Sequence, residues 1–158
     1  MEIAKIVIQA VMDAAMIVIM VLAALEDAKT GIVHPRYQIM IFALAVLHLP
    51  YAFIFEGWVS GVMHIAAGIL LWGVQLLIFA IFKSGVGGAD FKVSGSLALY
   101  LSLIPGLVMV LSHGLAAIGY ALYMRFIKHK HKESVRLMPF LLIGFVIARI
   151  VGWIMMFV

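Results

Sequence analysis

Residues 85–92 have the sequence GVGGADFK and lie between two strongly apolar runs of this 158-residue chain. Glycines interrupt the hydrophobic pattern there, and Asp90 follows them two residues before Lys92. An ionised carboxylate at the edge of a hydrocarbon phase is costly, so a persistent one usually faces a partner, a wet cavity or a reaction. A second acid, Asp27, closes the first apolar run. The two aspartates are therefore the first candidates for a functional site.

The composition indicates an integral membrane protein. Hydrophobic residues make up 66% of the chain and charged residues 11%, and the mean hydropathy is +1.22. Soluble domains are only about 45–50% apolar. The length predicts one domain over residues 1–158, and the net charge of +4 is attributed to loops and not to nucleic-acid binding. With no cysteine in the sequence, disulfides, a thiol nucleophile and a thiolate metal site are excluded.

The hydrophobic runs predict an all-α integral membrane protein, a six-transmembrane helical bundle with a glycine-rich cytoplasmic loop. A helix needs about 20 residues to cross the hydrocarbon core. The expected spans are residues 3–25, 39–55, 58–82, two crossings within 93–127, and 137–158. The first run exceeds a signal-peptide core of about 7–15 residues, so it is predicted to be retained.

Two finer expectations concern helix pairing and helix breaks. The second and third spans are expected to form a tight pair. The long run 93–127 is expected to break at Pro105-Gly106 and at Ser112-His113-Gly114. Proline and glycine are the strongest local signals of such interruptions.

Basic residues predict the orientation. The first, third and fifth loops or their borders hold Lys29, Arg36, Lys83, Lys92, Arg125, Lys128, Lys130, Lys132 and Arg136, whereas the second and fourth loops hold no Lys or Arg. The positive-inside rule places the three basic loops in the cytoplasm. The chain is thus expected to be a multi-pass protein of the cytoplasmic membrane with both termini outside. Asp27 and Asp90 then share the cytoplasmic side.

Three motifs in chain order resemble the type IV prepilin peptidase and preflagellin peptidase family, which are GXGD-type membrane aspartyl proteases. The sequence DAKTGIVHP at residues 27–35 is similar to the first signature, an Asp followed by Pro and then Asn or Asp. GGADFK at residues 87–92 resembles the second, Gly-Gly-Gly/Ala-Asp-x-Lys, and MPFLLIG at 138–144 resembles the closing Pro-Phe-x-x-x-Gly helix. Two positions depart from the first signature. His34 stands where Pro is usual, and Pro35 stands where Asn or Asp is usual.

The resemblance implies an endopeptidase that removes the basic leader of pilin-like or flagellin-like precursors on the cytoplasmic face. Cleavage would follow a Gly just before the apolar helix of the substrate. The resemblance makes Asp27 and Asp90 catalytic, and it assigns substrate and loop support to Gly87, Gly88, Ala89 and Lys92. It also implies a minimal core without the zinc-bearing N-terminal methyltransferase extension, with no cofactor or metal, and with precursors and membrane lipids as partners.

The chemistry of two carboxylates fits this activity independently of the family. One carboxylate can deprotonate a water while its protonated neighbour polarises the scissile carbonyl. Two acids within a few ångströms cannot both ionise easily, so the pair shares a proton and neither is the permanent base. Taken singly, Asp27 could be an interfacial charge, and Asp90 could cap the helix that follows it.

Asp13 and Arg149 are expected to form a structural ion pair between the first and last spans. At about 1.5 Å per residue, Asp13 lies about 21 Å from Asp27 along the first span, and Arg149 lies about 18 Å from the start of the last. Their depths nearly match, and burying either charge alone would be expensive. The histidines, by contrast, are scattered, so solvation or single polar contacts are expected of them instead of a metal site.

Two other functions stay open at this level. One is a small transporter or channel whose ion path is lined by Asp13, Arg149, Asp27 and Asp90. Against it, the chain has no detectable inverted repeat, and its glycine-rich stretch lies at the membrane edge and not at the midplane. The other is a catalytically inactive prepilin-binding homologue, which the altered position of Pro35 favours.

Overall fold

The computed structural model describes residues 2–82, 88–126 and 136–157, which are helical apart from short connections. The helices are α1 (Glu2–Thr30), α2 (Pro35–Tyr51), α3 (Trp58–Phe82), α4 (Gly88–Leu101), α5 (Leu103–Phe126) and α6 (Met138–Phe157), and a π-helical turn, Ala52–Glu56, continues α2. Within these ranges there is no β-strand. Five helices are long and apolar enough to span a membrane, counting α2 together with its π-turn, while α4 has only 14 residues. The all-helical prediction is confirmed for this part of the chain.

Both aspartates of the predicted dyad lie on helices and not in loop ends. Helix α1 continues past the predicted end at residue 25 and includes Asp27 in its last turn. It stops at Gly31, whose φ of 74° is the left-handed conformation that glycine commonly supplies after a helix. The Gly31 N–H donates to the carbonyl of Asp27 at 2.8 Å. Asp90 lies in the first turn of α4, so the backbone around each acid is regular.

The break between α4 and α5 lies at Ser102, not at the predicted sites. Ser102 has a φ of 69°, and α5 begins directly after it. Pro105 falls in the first turn of α5, where a missing N–H costs no helical hydrogen bond. Pro105 therefore marks the start of the next helix. Ser112 and its neighbours stay helical, and the Ser112 hydroxyl donates to the carbonyl of Val108 at 2.7 Å.

The expected tight pairing of the second and third spans is found only at the π-turn, which packs against α3, while α2 itself contacts α3 little. Helix α2 packs mainly against α4 and α1, while α3 packs mainly against α4. Small residues explain this, because they let the backbones of α3 and α4 approach closely. A Cβ on Gly68 would lie 3.0 Å from the Cβ of Leu99, and a Cβ on Gly95 would lie 2.8 Å from the indole of Trp72. Helix α4 also contacts α5 and α6, and α1 packs against α6.

The helix directions define two ends of the bundle. The Asp27 end contains the C-terminus of α1 and the N-termini of α2, α4 and α6. The Glu56 end contains the N-terminus of α1, the π-turn, the start of α3, the Ser102 break and the C-terminal part of α6. Between them lies a buried apolar cluster that includes Met16, Met20, Ile41, Leu97, Tyr100, Met138 and Phe145. Large apolar side chains on the outer surface, such as Val18, Ile69, Leu111 and Ile150, are exposed as expected for helices that face lipid.

Candidate functional site

Asp27 is buried against the N-terminus of α6. The residue is only 6% exposed, and its Oδ2 accepts a hydrogen bond from the backbone N–H of Met138 at 3.2 Å. The first N–H groups of a helix lack intrahelical acceptors and carry the positive end of the helix dipole. Arg136 also approaches, donating from Nη1 to the main-chain carbonyl of Asp27. Both contacts join the end of α1 to the start of α6.

The two oxygens of the Asp27 carboxylate differ in their contacts with the described residues. Oδ2 accepts from the N–H of Met138, whereas no described residue donates to Oδ1. Helix α6 therefore fixes one oxygen of Asp27, and the described part of the chain places no donor on the other.

The connection after Asp27 explains the two departures from the family's first signature. The Nδ1 atom of His34 accepts from the N–H of Arg36 at 3.2 Å and so caps α2. Pro35 takes the first helical position, which its fixed φ suits. Glu26 holds the connection by accepting from the N–H of His34 at 3.3 Å and by lying 3.5 Å from the Arg36 guanidinium. His34 and Pro35 are thus the start signal of α2.

The second predicted motif lies partly outside the described residues. Gly87 and the side chain of Asp90 lie outside the described part of the chain. The distance between the Asp27 and Asp90 carboxylates therefore also lies outside it. The backbone of Gly88, Ala89 and Asp90 begins α4. The Tyr100 hydroxyl donates to Asp13 at 2.7 Å, which fixes α4 beside α1.

That contact gives the depth of both acids. At about 1.5 Å per residue, Asp90 lies about 15 Å from Tyr100 along α4, and Asp27 lies about 21 Å from Asp13 along α1. Because the helices run in opposite directions, both displacements lead to the same end of the bundle. The fold brings the two predicted catalytic positions to this end.

A lateral groove begins beside Lys92 at the same end. It has a volume of about 400 Å³ and runs between α2, α3 and α4, where it is lined by Phe42, Ile65, Gly68, Ile69, Trp72, Lys92, Gly95, Ser96 and Leu99. Phe42, Ile69 and Trp72 are exposed on its outer side. The groove therefore opens from the Lys92 side of α4 onto the apolar outer surface of the bundle.

The predicted ion pair between Asp13 and Arg149 is confirmed, and it belongs to a larger network. Arg149 Nη2 donates to Asp13 Oδ2 at 2.7 Å, and the indole of Trp153 donates to the same oxygen at 3.0 Å. Oδ1 accepts from the Tyr100 hydroxyl at 2.7 Å and from Gln9 Nε2 at 2.9 Å. Four donors on three helices thus hold one buried carboxylate.

Sequence reasoning did not assign Gln9, Tyr100 and Trp153 to this network. The spacing of Gln9 and Asp13 places both on one face of α1, which was an available signal. Tyr100 and Trp153 gave no such sequence signal, because Tyr and Trp are both common in apolar helices. His48 joins through Gln9, with its Nε2 lying 2.9 Å from Gln9 Oε1.

A second polar cluster lies at the Glu56 end and was also missed. Ser60 donates to Glu56 Oε2 at 2.6 Å, and His64 Nε2 lies 3.4 Å from the same oxygen. His64 Nδ1 lies 2.9 Å from the carbonyl of Leu99, which can only accept, so this nitrogen carries a hydrogen. An attractive contact between Nε2 and Glu56 then requires another proton on one of the two side chains. The helical spacing of residues 56, 60 and 64 was the signal.

In the described ranges, no three His, Asp or Glu side chains come close enough together to hold a metal ion. Comparison with protein-family models, with curated proteins and with solved structures gave no match.

Proposed function

We propose that the chain is a membrane-embedded aspartyl endopeptidase with six spans, whose catalytic residues are Asp27 and Asp90. Its substrates would be precursors that carry a basic leader followed by an apolar helix, as pilin-like and flagellin-like precursors do. The observation that carries the proposal is a buried Asp27 with a single hydrogen bond from the described residues to its carboxylate, at the end of the bundle where Asp90 lies in the first turn of α4.

The proposed reaction divides the roles of acid and base between the two aspartates. Asp27 accepts from the first N–H of α6, and Asp90 lies in the first turn of α4. One member of the pair would act as the base. Its partner, protonated, would donate to the scissile carbonyl while the base takes a proton from water. The hydroxyl of that water forms the new C–O bond. When the C–N bond breaks, the base passes its proton to the departing amine, and the carbonyl oxygen returns the other proton to the acid.

The groove supplies a place for the substrate helix. Its apolar lining along α2, α3 and α4 fits a hydrophobic segment that enters sideways from lipid. Small residues such as Gly68 leave room along the groove for a second helix to approach closely. The segment's N-terminal end would lie near Lys92 and the start of α4, where the peptide bond after the glycine would meet the dyad.

The positions of the described cations support a cytoplasmic Asp27 end. Lys29, Arg36, Lys92 and Arg136 all lie at this end of the bundle. The positive-inside rule then places both helix ends that carry the dyad in the cytoplasm, where a basic leader remains after membrane insertion of its helix.

The proposal is tested by cleavage in a reconstituted membrane. The purified chain in nanodiscs is mixed with a synthetic precursor that has a basic leader, a glycine and an apolar helix, and products are read by mass spectrometry. Asp27→Asn and Asp90→Asn should each lower the rate about 10²–10⁴-fold, the usual worth of a general acid or base. Glu56→Gln, a carboxylate at the opposite end, is the matched control.

The outcomes separate the alternatives. Unchanged cleavage by either Asn variant would remove the dyad. Binding of the precursor by the unaltered chain without cleavage would favour an inactive homologue. A transporter lined by Asp13 would have to release four hydrogen bonds to expose that carboxylate, so the network argues against an ion path there.

A further inference from the structure

The Glu56 end contains a second cavity that the proposed peptidase does not use. It has a volume of about 420 Å³, within the range of about 300–1,000 Å³ typical of ligand sites. Its polar wall includes Lys5, Glu56, His64, Ser102 and Arg149. The cavity lies at the far end of α1 from Asp27, so it is a separate site.

Charged groups on this wall have hydrogen-bonding capacity left. Arg149 binds Asp13 through Nη2, but its buried Nε has no acceptor among the described residues. Lys5 makes no ion pair within the part of the chain that the structure describes. Glu56 uses Oε2 for Ser60 and His64, while its Oε1 has no described donor. The cavity wall therefore includes both cationic donors and a carboxylate oxygen without a described donor.

The remaining hydrogen-bonding capacity of this wall suits a zwitterion. Arg149 is paired with Asp13 and Glu56 contacts His64, whereas Lys5 has no acidic partner among the described residues. A molecule that carries both charges can place its anion at Lys5, beside Arg149, and its ammonium at Oε1 of Glu56, forming charge-assisted hydrogen bonds.

The lining also discriminates between kinds of ammonium. Sites for quaternary ammonium groups usually surround them with aromatic rings. No Phe, Tyr or Trp is found among the described residues that line this cavity. Glu56 Oε1 instead accepts N–H bonds, which a primary ammonium has and a quaternary one lacks. The geometry favours a primary amine.

The cavity opens onto the apolar surface of the bundle. Three of its lining residues, Met63, Ile104 and Met155, are also among the exposed large hydrophobic side chains. A ligand entering from lipid would keep its acyl chains against these residues. This continuity identifies the bilayer as the source of the ligand.

We propose that the cavity binds the headgroup of a phospholipid with a primary ammonium and a phosphate, of the ethanolamine type. The phosphate faces Arg149 and Lys5, the ammonium faces Glu56, and the acyl chains leave over Ile104. The site is independent of the peptidase activity.

The test is lipid retention by the full chain. The protein is reconstituted with equal amounts of ethanolamine, choline and glycerol phospholipids that have identical acyl chains, and bound lipid is counted by native mass spectrometry after stepwise detergent washing. Retention of the ethanolamine lipid should exceed that of each other lipid by about tenfold, as one added charged hydrogen bond would give. Equal retention of the three lipids would overturn the proposal.

Two variants with matched controls locate the site. Glu56→Gln should remove the preference for ethanolamine over choline, and Lys5→Gln should weaken retention of all three lipids without changing their order. Glu26→Gln and Lys29→Gln, at the Asp27 end, should behave like the unaltered chain. If Glu56→Gln still prefers ethanolamine over choline lipid, Glu56 does not bind the ammonium and the proposal is overturned. If Glu56→Gln fails to fold, unchanged lipid retention by Lys5→Gln overturns the proposal instead.

A soluble competitor and the cleavage assay complete the test. Free phosphoethanolamine should not displace the bound lipid at equal concentration, because it lacks the acyl contacts. Equal competition would overturn the lipid as ligand. Glu56→Gln should still cleave precursor, and Asp27→Asn should still retain ethanolamine lipid. Failure of the lipid-site proposal can therefore be distinguished from failure of the peptidase proposal.

Discussion

Asp13 and Asp27 lie on the same helix and are equally buried, yet their surroundings differ. Each residue is 6% exposed. The Asp13 carboxylate accepts four hydrogen bonds, one of them from a paired arginine. The Asp27 carboxylate accepts one from a backbone N–H, and its other oxygen has no described donor. Burial alone therefore does not distinguish a structural acid from a reactive one.

The number of donors makes the distinction. A carboxylate held by several donors cannot take up a proton or move without losing those bonds. A carboxylate with fewer donors loses less when it does either. On this basis Asp13 joins helices α1, α4 and α6, whereas Asp27 is suited to chemistry at the bundle end.

The largest expected effect follows from breaking the Asp13–Arg149 pair. Arg149→Gln or Asp13→Asn should each lower the free energy of unfolding by about 3–5 kcal/mol, because either change leaves a buried charge without its partner. The measurement is denaturant unfolding in mild detergent, with cleavage scored per folded molecule.

The charge swap is the control for this pair. Asp13→Arg combined with Arg149→Asp should restore part of the lost stability. Recovery should be incomplete, because the Trp153 indole can only donate and would face an arginine at position 13. A folded single variant that has lost cleavage would place Asp13 in the functional site instead.

A smaller effect is expected from removing one donor at a time. Trp153→Phe and Tyr100→Phe each delete a hydrogen bond to the charged Asp13 carboxylate, which is typically worth about 1.5–3 kcal/mol. Tyr120→Phe, on the exposed face of α5, is the matched control and should change stability by less than about 0.5 kcal/mol. Loss of stability in the control alone would show that Asp13 does not depend on its donors.

Helix α6 connects the two aspartates, and Gly144 tests that connection. A Cβ at Gly144 would lie 2.8 Å from the carbonyl oxygen of Met109, a backbone atom that cannot move freely. Gly144→Ala should cost about 1–3 kcal/mol by overpacking and should also lower cleavage by displacing Met138 from Asp27. Gly114→Ala, where a Cβ meets nothing within 4 Å, should do neither. Equal thermal unfolding of the two variants would argue against close α5–α6 packing.

Much of the fold follows from hydrophobic run length. Span three was predicted at residues 58–82 and agrees with α3, because the run is long, apolar and bounded by turn residues. The depth match of Asp13 and Arg149 needed only the rise per residue of a helix. The α4–α5 break did not follow, because Ser102 gives no sequence signal and Pro105 was assigned to the break when it begins the next helix.

The site was only partly accessible to sequence reasoning. Asp27 was recognised as a key acid, but its contact with the N–H of Met138 joins residues far apart in the chain. Likewise, the donors to Asp13 come from α4 and α6, and helix pairing was not readable from composition. The π-turn that presents Glu56 was also not predicted, although Pro50 precedes it within α2 and Gly57 follows it.

The most direct measurement compares Asp13→Asn and Asp27→Asn for both stability and cleavage. Asp13→Asn should lose about 3–5 kcal/mol of unfolding free energy and keep its cleavage rate per folded molecule. Asp27→Asn should stay within about 1 kcal/mol of the unaltered chain, since the amide oxygen can still accept from Met138, and should lose cleavage by about 10²–10⁴-fold. Full cleavage by folded Asp27→Asn, or inactivity of folded Asp13→Asn, would contradict the assignment of roles to the two aspartates.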